Sequence, residues 1–115
     1  MGVAGPKVEL LWWEGCPSYE QALEELREVL REERLDPNSV QLREVPTEAD
    51  AERERFVGSP TIRIDGVEVA PPEKEEPVGL TCRIYRLRDG RVSPVPDRAD
   101  VHEALRAAMS ARIER

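Results

Sequence analysis

Cys16 and Cys82 are the side chains of this chain best suited to chemistry, and they sit in different surroundings. Cys16 stands in Gly15-Cys16-Pro17-Ser18, between an apolar run and a strongly periodic segment. A thiol at the start of a helix faces backbone N–H groups that have no partner within the helix, and the positive end of the helix dipole. Both favour the thiolate, so the Cys16 pKa is expected below that of a free cysteine. Glu14 and Glu20 act in the opposite sense, which points to a moderate shift. The thiolate is the nucleophile of disulfide exchange and a ligand for soft metals. That chemistry requires a sulfur that solvent can reach. The structural alternative is a buried, inert cysteine near a strand end. Cys82 follows Gly79-Leu80-Thr81 and has two readings. It is a second thiol that exchanges with Cys16, which needs Cα atoms about 4.4–6.8 Å apart, or it is a half-buried strand cysteine. Arg83 is accordingly a partner for a thiolate or a surface strand arginine.

The elements that must position these thiols are legible in the periodicity. Lys7 to Trp12 reads as a buried strand. From Pro17 to about Arg34, Tyr19, Ala22, Leu23, Leu26, Val29 and Leu30 fall on one helical face. Pro17 suits the first turn of that helix, where its missing N–H has no cost, and Asp36-Pro37-Asn38 stops it. Val40 to Val45 alternates, with Val40, Leu42 and Val45 turned inward. Thr47 and Asp50 resemble a capping box for a polar helix over 48–56. Its inward residues are Ala49, Ala51 and Phe56, and Gly58 is its stop. Ser59-Pro60-Thr61 leads into Ile62-Arg63-Ile64, and Asp65-Gly66 turns the chain back through Val67-Glu68-Val69 as a hairpin.

The Pro- and Glu-rich stretch 70–81 reads as an exposed loop, and 82–87 as an optional strand turned at Asp89-Gly90. A final helix runs from about Asp97 to Ile113, with Val101, Ala104, Leu105, Ala108, Met109 and Ile113 on its apolar face. The order β-α-β-α-β-β-α implies an α/β domain: a mixed central sheet with parallel crossovers, an antiparallel hairpin and helices on both faces. One domain over 1–115 is expected, with 1–6 as a flexible lead.

Composition narrows the function. The chain has 115 residues, 36% of them charged, and a net charge of −7. That sign repels a phosphate backbone and anionic membranes, so neither nucleic acid nor membrane is expected as a partner. No apolar run approaches the ~20 residues of a membrane span. Val8 to Trp13 is too short for a signal peptide, and Pro6 stands where myristoylation would need Ser or Thr. Two cysteines are too few for a disulfide scaffold, and a cytoplasmic location is expected. His102 is the only histidine, and its place on a helix far from either cysteine in sequence suggests no zinc site and no metal. Trp12 and Trp13 point to opposite faces of a strand, one to the core and one to the rim of the Cys16 site.

Trp13-Glu14-Gly15-Cys16-Pro17-Ser18-Tyr19 and Gly58-Ser59-Pro60-Thr61 together resemble the thioredoxin superfamily. The resemblance implies a thioredoxin-like fold in which Pro60 is a cis proline packed against Cys16, and the backbone of Ser59 pairs with a bound peptide or thiol substrate. Trp13, Pro17, Ser59, Pro60 and Thr61 are then the substrate-binding candidates. The chain departs from the family at Tyr19, where the dithiol motif has its second cysteine. Turnover within that motif is thereby excluded, and a monothiol route through Cys16, or one completed by Cys82, remains. Short bacterial thioredoxin-like proteins with Gly-Cys-Pro-Ser, Gly-Ser-Pro-Thr-Ile and Gly-Leu-Thr-Cys-Arg segments look similar over nearly the whole chain, and some carry the label alkylmercury lyase.

Three functions follow as expectations. The first is a thiol-redox or thiol-transfer protein with Cys16 and Cys82 as the catalytic candidates, Cys16 as nucleophile and Cys82 as a candidate resolving thiol, acting on a protein or small-molecule thiol or disulfide without a cofactor. The second is a non-catalytic module that binds a peptide, a small thiol or a soft metal. The third is organomercurial cleavage, for which two thiolates are present but no acid can be named.

Overall fold

Strand β1, Val8–Trp12, is the centre of the sheet because both of its faces are apolar enough to bury. Val8, Leu10 and Leu11 are all at most 1% exposed. A computed structural model describes residues 5–72 and 75–113. Of the expected flexible lead, residues 1–4 lie outside the described residues and Pro6 is buried.

Helix α1, Tyr19–Glu32, presents Ala22, Leu26, Val29 and Leu30 to the sheet, as its periodicity requires. It starts later than expected. Pro17 and Ser18 form a turn before it, so Pro17 precedes the first helical turn instead of opening it. A 3-10 turn, Pro37–Ser39, capped by the Asp36 side chain on the Asn38 N–H at 2.8 Å, reverses the chain. Strand β2, Gln41–Glu44, then pairs parallel to β1.

Helix α2, Glu48–Glu54, opens with Thr47 Oγ1 accepting the Asp50 N–H at 3.1 Å. That bond satisfies one of the donors every helix start leaves open. Strand β3, Thr61–Ile64, pairs antiparallel to β1, and β4, Val67–Glu68, pairs antiparallel to β3. Asp65 and Gly66 both have positive φ, 51° and 80°, which is the conformation a two-residue hairpin turn demands. The sheet order is β2-β1-β3-β4.

Strands β5, Tyr85–Arg86, and β6, Val92–Ser93, form a separate two-stranded ribbon, and α3, Arg98–Ile113, closes the described chain. Alternate residues of β1 divide the core. Val8 and Leu10 join α1, Ile62, Ile64, Val101 and Leu105 on one face. Leu11 joins Val45, Ala51 and Phe56 on the other, beneath α2. The result is a mixed α/β fold with helices on both faces of a four-stranded sheet. Phe56 is fully buried, and truncating such a side chain to Ala costs about 3–5 kcal/mol.

Several expectations are corrected. Among the described residues only the β1–β2 connection is a parallel crossover, because β3 runs antiparallel to β1. Leu42 is 47% exposed, because β2 is an edge strand with little packed over it. Ala49 is exposed, and Arg55, not Gly58, takes the left-handed position that ends α2 (φ 52°). The 82–87 strand shrinks to Tyr85–Arg86. Both tryptophans are half-buried: Trp13 packs against the Leu11, Val45, Ala51 and Phe56 cluster, and Trp12 stacks on Tyr19 at 4.3 Å between ring centroids. The 70–81 loop is largely exposed, with 73 and 74 outside the described residues, yet its end is fixed by the Gly79 N–H on the Phe56 carbonyl at 3.0 Å. On α3, Val101 and Leu105 are buried as expected. The side chain of Ile113 lies outside the described residues. Among the described residues, no helix is long and apolar enough to cross a membrane.

Candidate functional site

Two local devices bring Cys16 and Ser59 together. After β1 the chain turns tightly, with the Cys16 N–H on the Trp13 carbonyl at 3.0 Å. After α2, the Ser59–Pro60 peptide bond is cis, as the resemblance implied. The Ser59 hydroxyl accepts the Trp13 N–H at 3.1 Å, tying the two turns to each other. In its thiol form Cys16 donates to the Ser59 carbonyl at 3.3 Å.

A third segment completes the site. Residues 81–83 run beside Ser59 as a short parallel bridge. The Ser59 N–H donates to the Thr81 carbonyl and the Arg83 N–H to the Ser59 carbonyl, both at 2.8 Å. Gly58 makes this approach feasible. A Cβ there would stand 3.1 Å from the Arg83 Cβ and 3.2 Å from its backbone, and its φ of 146° is unsuited to a side chain. Gly58 therefore serves the docking of 81–83, a role that its reading as a helix stop did not anticipate.

The bridge brings Cys82 beside the Ser59 turn that holds the Cys16 sulfur, close enough for each thiol to shift the acidity of the other. Burial pushes the Cys16 thiol up. Hydrogen bonds from the Cys82 thiol, the Ser18 N–H and the hydroxyls of Ser59 and Ser18 outweigh it, and the net shift is downward from 9.0. Cys82 moves the other way. Its hydrogen bond to Cys16 holds the proton, and burial and the Cys16 charge add to this. Of the two thiols, Cys16 is thus the more acidic. The amide that helps Cys16 is that of Ser18, the residue immediately before α1.

Accessibility reverses the expected roles. Cys16 is 1% exposed, whereas Cys82 is exposed. Cys16 is therefore not a solvent-facing nucleophile: the Ser59 turn and the 81–83 segment close over its sulfur. Both cysteines are free.

The remaining candidates divide into two groups. Trp13 is half-buried and Pro17 exposed, so both border the surface near Cys16. Ser59, Pro60 and Thr61 are gathered at the site but almost completely buried. The Pro60 carbonyl accepts the Tyr85 hydroxyl, and Thr61 Oγ1 donates to the Gly58 carbonyl at 2.7 Å.

Arg83 is neither a thiolate partner nor a surface arginine. Its guanidinium is buried against Glu68 at 2.8 Å, the Ala70 carbonyl and Thr61 Oγ1 at 3.3 Å, and it lies 4.7 Å from the centre of the Tyr85 ring. It clamps 81–83 to the β3–β4 hairpin. Tyr85 and Glu68 are the functional neighbours that sequence reasoning missed. A charged pair separated by fifteen positions and a loop leaves no periodic signal. His102 is half-buried between Glu32 and Glu33, at 2.9 and 2.6 Å, where it joins α3 to α1.

No protein-family model, no curated protein and no solved structure matches this chain.

Proposed function

We propose that this chain is a thioredoxin-like thiol–disulfide exchange domain whose working unit is the Cys16–Cys82 pair. The observation that carries the reading is the Ser59–Cys82 bridge, which brings an exposed thiol beside the buried sulfur that donates to the Ser59 carbonyl. Exchange needs a thiolate, a sulfur that a substrate can reach, and a second thiol to release the mixed disulfide. The two cysteines divide these tasks.

The balanced sequence begins at Cys82, the exposed sulfur. It attacks one sulfur of an external disulfide, its proton passes to the Cys16 thiolate, and the first thiolate of the substrate leaves. Cys16 then gives up that proton to the departing thiolate. Its sulfur attacks Cys82 in the mixed disulfide, and the second substrate thiolate departs and takes a proton from water. The substrate disulfide is reduced to two thiols, and the protein is oxidised to a Cys16–Cys82 disulfide. The order supported is the reverse of one led by Cys16.

Trapping tests the reading. Cys16→Ser, treated with oxidised glutathione, should accumulate a mixed disulfide at Cys82. Cys82→Ser should react far more slowly, because its only thiol is sealed. Faster modification of Cys16 than of Cys82, or no adduct on either variant, would refute it.

A further inference from the structure

We infer that the substrate of this thiol pair is a low-molecular-weight disulfide and not an extended polypeptide, because the chain's own residues 81–83 occupy the backbone edge at Ser59. The inference rests on the exchange reading above and adds the substrate class to it.

A polypeptide held beside a sheet edge is bound by main-chain hydrogen bonds, which need a free N–H and a free carbonyl. Ser59 has neither. Its N–H is given to Thr81, its carbonyl accepts the Arg83 N–H, and its hydroxyl accepts the Trp13 N–H. Ser59 is 0% exposed. The next carbonyl, at Pro60, is taken by the Tyr85 hydroxyl. A strand from another protein would have to break both Ser59–81/83 bonds before making its own.

The occupying segment is also firmly held. Arg83 is 7% exposed and anchored by Glu68, Ala70 and Thr61. Gly79 is bonded to Phe56 on the other side of Cys82. Displacing the segment would strip a buried guanidinium of its partners, which is strongly unfavourable. It would also carry Cys82 away from Cys16 and separate the two sulfurs that exchange requires. What remains open is the Cys82 sulfur itself, beside exposed Thr81 and, next to Cys16, exposed Pro17 and Gly15. That surface suits a compact disulfide approaching end-on.

Two disulfides of matched thiol chemistry test this. One is the disulfide dimer of N-acetylcysteinamide. The other places the same cysteine in the middle of a linear peptide, linked by a disulfide to N-acetylcysteinamide. The second-order rate of Cys16–Cys82 disulfide formation in the reduced full chain is measured with each, together with amide hydrogen exchange at Ser59 and Arg83. The expected result is a peptide rate no greater than the small-molecule rate, with both amides protected throughout. A peptide preference of about tenfold or more, the factor that ~1.4 kcal/mol of strand pairing supplies, would overturn the inference. So would loss of Ser59 and Arg83 protection on adding the peptide. If neither reagent forms the disulfide, the exchange reading falls and this inference falls with it.

Discussion

Cys82 and the Cys16 sulfur both meet Ser59 although 66 positions separate them in sequence, and each thiol shifts the acidity of the other, in opposite directions. Cys16 is shifted down from 9.0 and Cys82 up. In Cys82→Ala the Cys16 thiolate loses the thiol that hydrogen-bonds it, so its pKa should rise. In Cys16→Ala the Cys82 thiol loses both its acceptor and a neighbouring charge, so its pKa should fall toward the ordinary range. Far-ultraviolet thiolate absorbance against pH reads both. Unchanged titration of either remaining cysteine would separate the two sulfurs.

The Tyr85 hydroxyl donates to the carbonyl of Pro60 in a buried setting, and burial pushes its ionisation far above the usual range for tyrosine. Tyr85→Phe leaves that carbonyl without a donor. A buried acceptor left unpaired costs about 1–3 kcal/mol, so a loss of stability of that size is expected in urea denaturation. The same variant should still form the Cys16–Cys82 disulfide on oxidation, because the Tyr85 hydroxyl bonds to the Pro60 carbonyl and not to a sulfur. A neutral stability change would mean that the carbonyl finds another partner.

Glu54 ties α2 to the sheet through Arg63, at 3.0 Å, and Arg43. Burial pushes its carboxyl up, but the two guanidinium groups outweigh this and hold it below 4.5. A carboxyl whose folded-state pKa is depressed stabilises the fold above its unfolded value and loses that contribution as pH falls through the folded value. Glu54→Gln should therefore cost about 1 kcal/mol near neutrality. The difference from the native chain should shrink as the solution is acidified below 4.5. Denaturant midpoints across pH measure it, and a difference that grows in acid would contradict the assignment.

Gly15 lies against the Trp13 ring. A Cβ at Gly15 would stand 2.3 Å from the ring's outer carbons, too close for the ring to stay where it is. Gly15→Ala should thus shift tryptophan fluorescence and alter the rim beside Cys16. An unchanged emission spectrum would place the ring elsewhere.

What the sequence disclosed was mostly local. The face of α1, the Thr47 cap with Asp50 and the Asp65-Gly66 turn each arise from residues within a few positions of one another, and each is present. The meeting of Cys16 with the Ser59–Pro60 turn followed from the order of two short motifs. The direction of β3 and the exposure of Leu42 were not legible, because strand partners are chosen across the sheet and periodicity does not name them. The return of 81–83 to Ser59 was hidden for the same reason. It depends on Gly58 admitting a backbone and on Arg83 reaching Glu68, two contacts made across a long loop. The burial of Cys16 follows from that return, which is why the expected exposure was reversed.

The central claim is that Cys16 and Cys82 exchange electrons as one unit, and the most direct measurement is intact mass with peptide mapping after stoichiometric oxidised glutathione. The predicted result is loss of two hydrogens, a single cross-linked peptide joining residues 16 and 82, and full reversal by dithiothreitol. Stable glutathione adducts on the native chain with no such cross-link would contradict it.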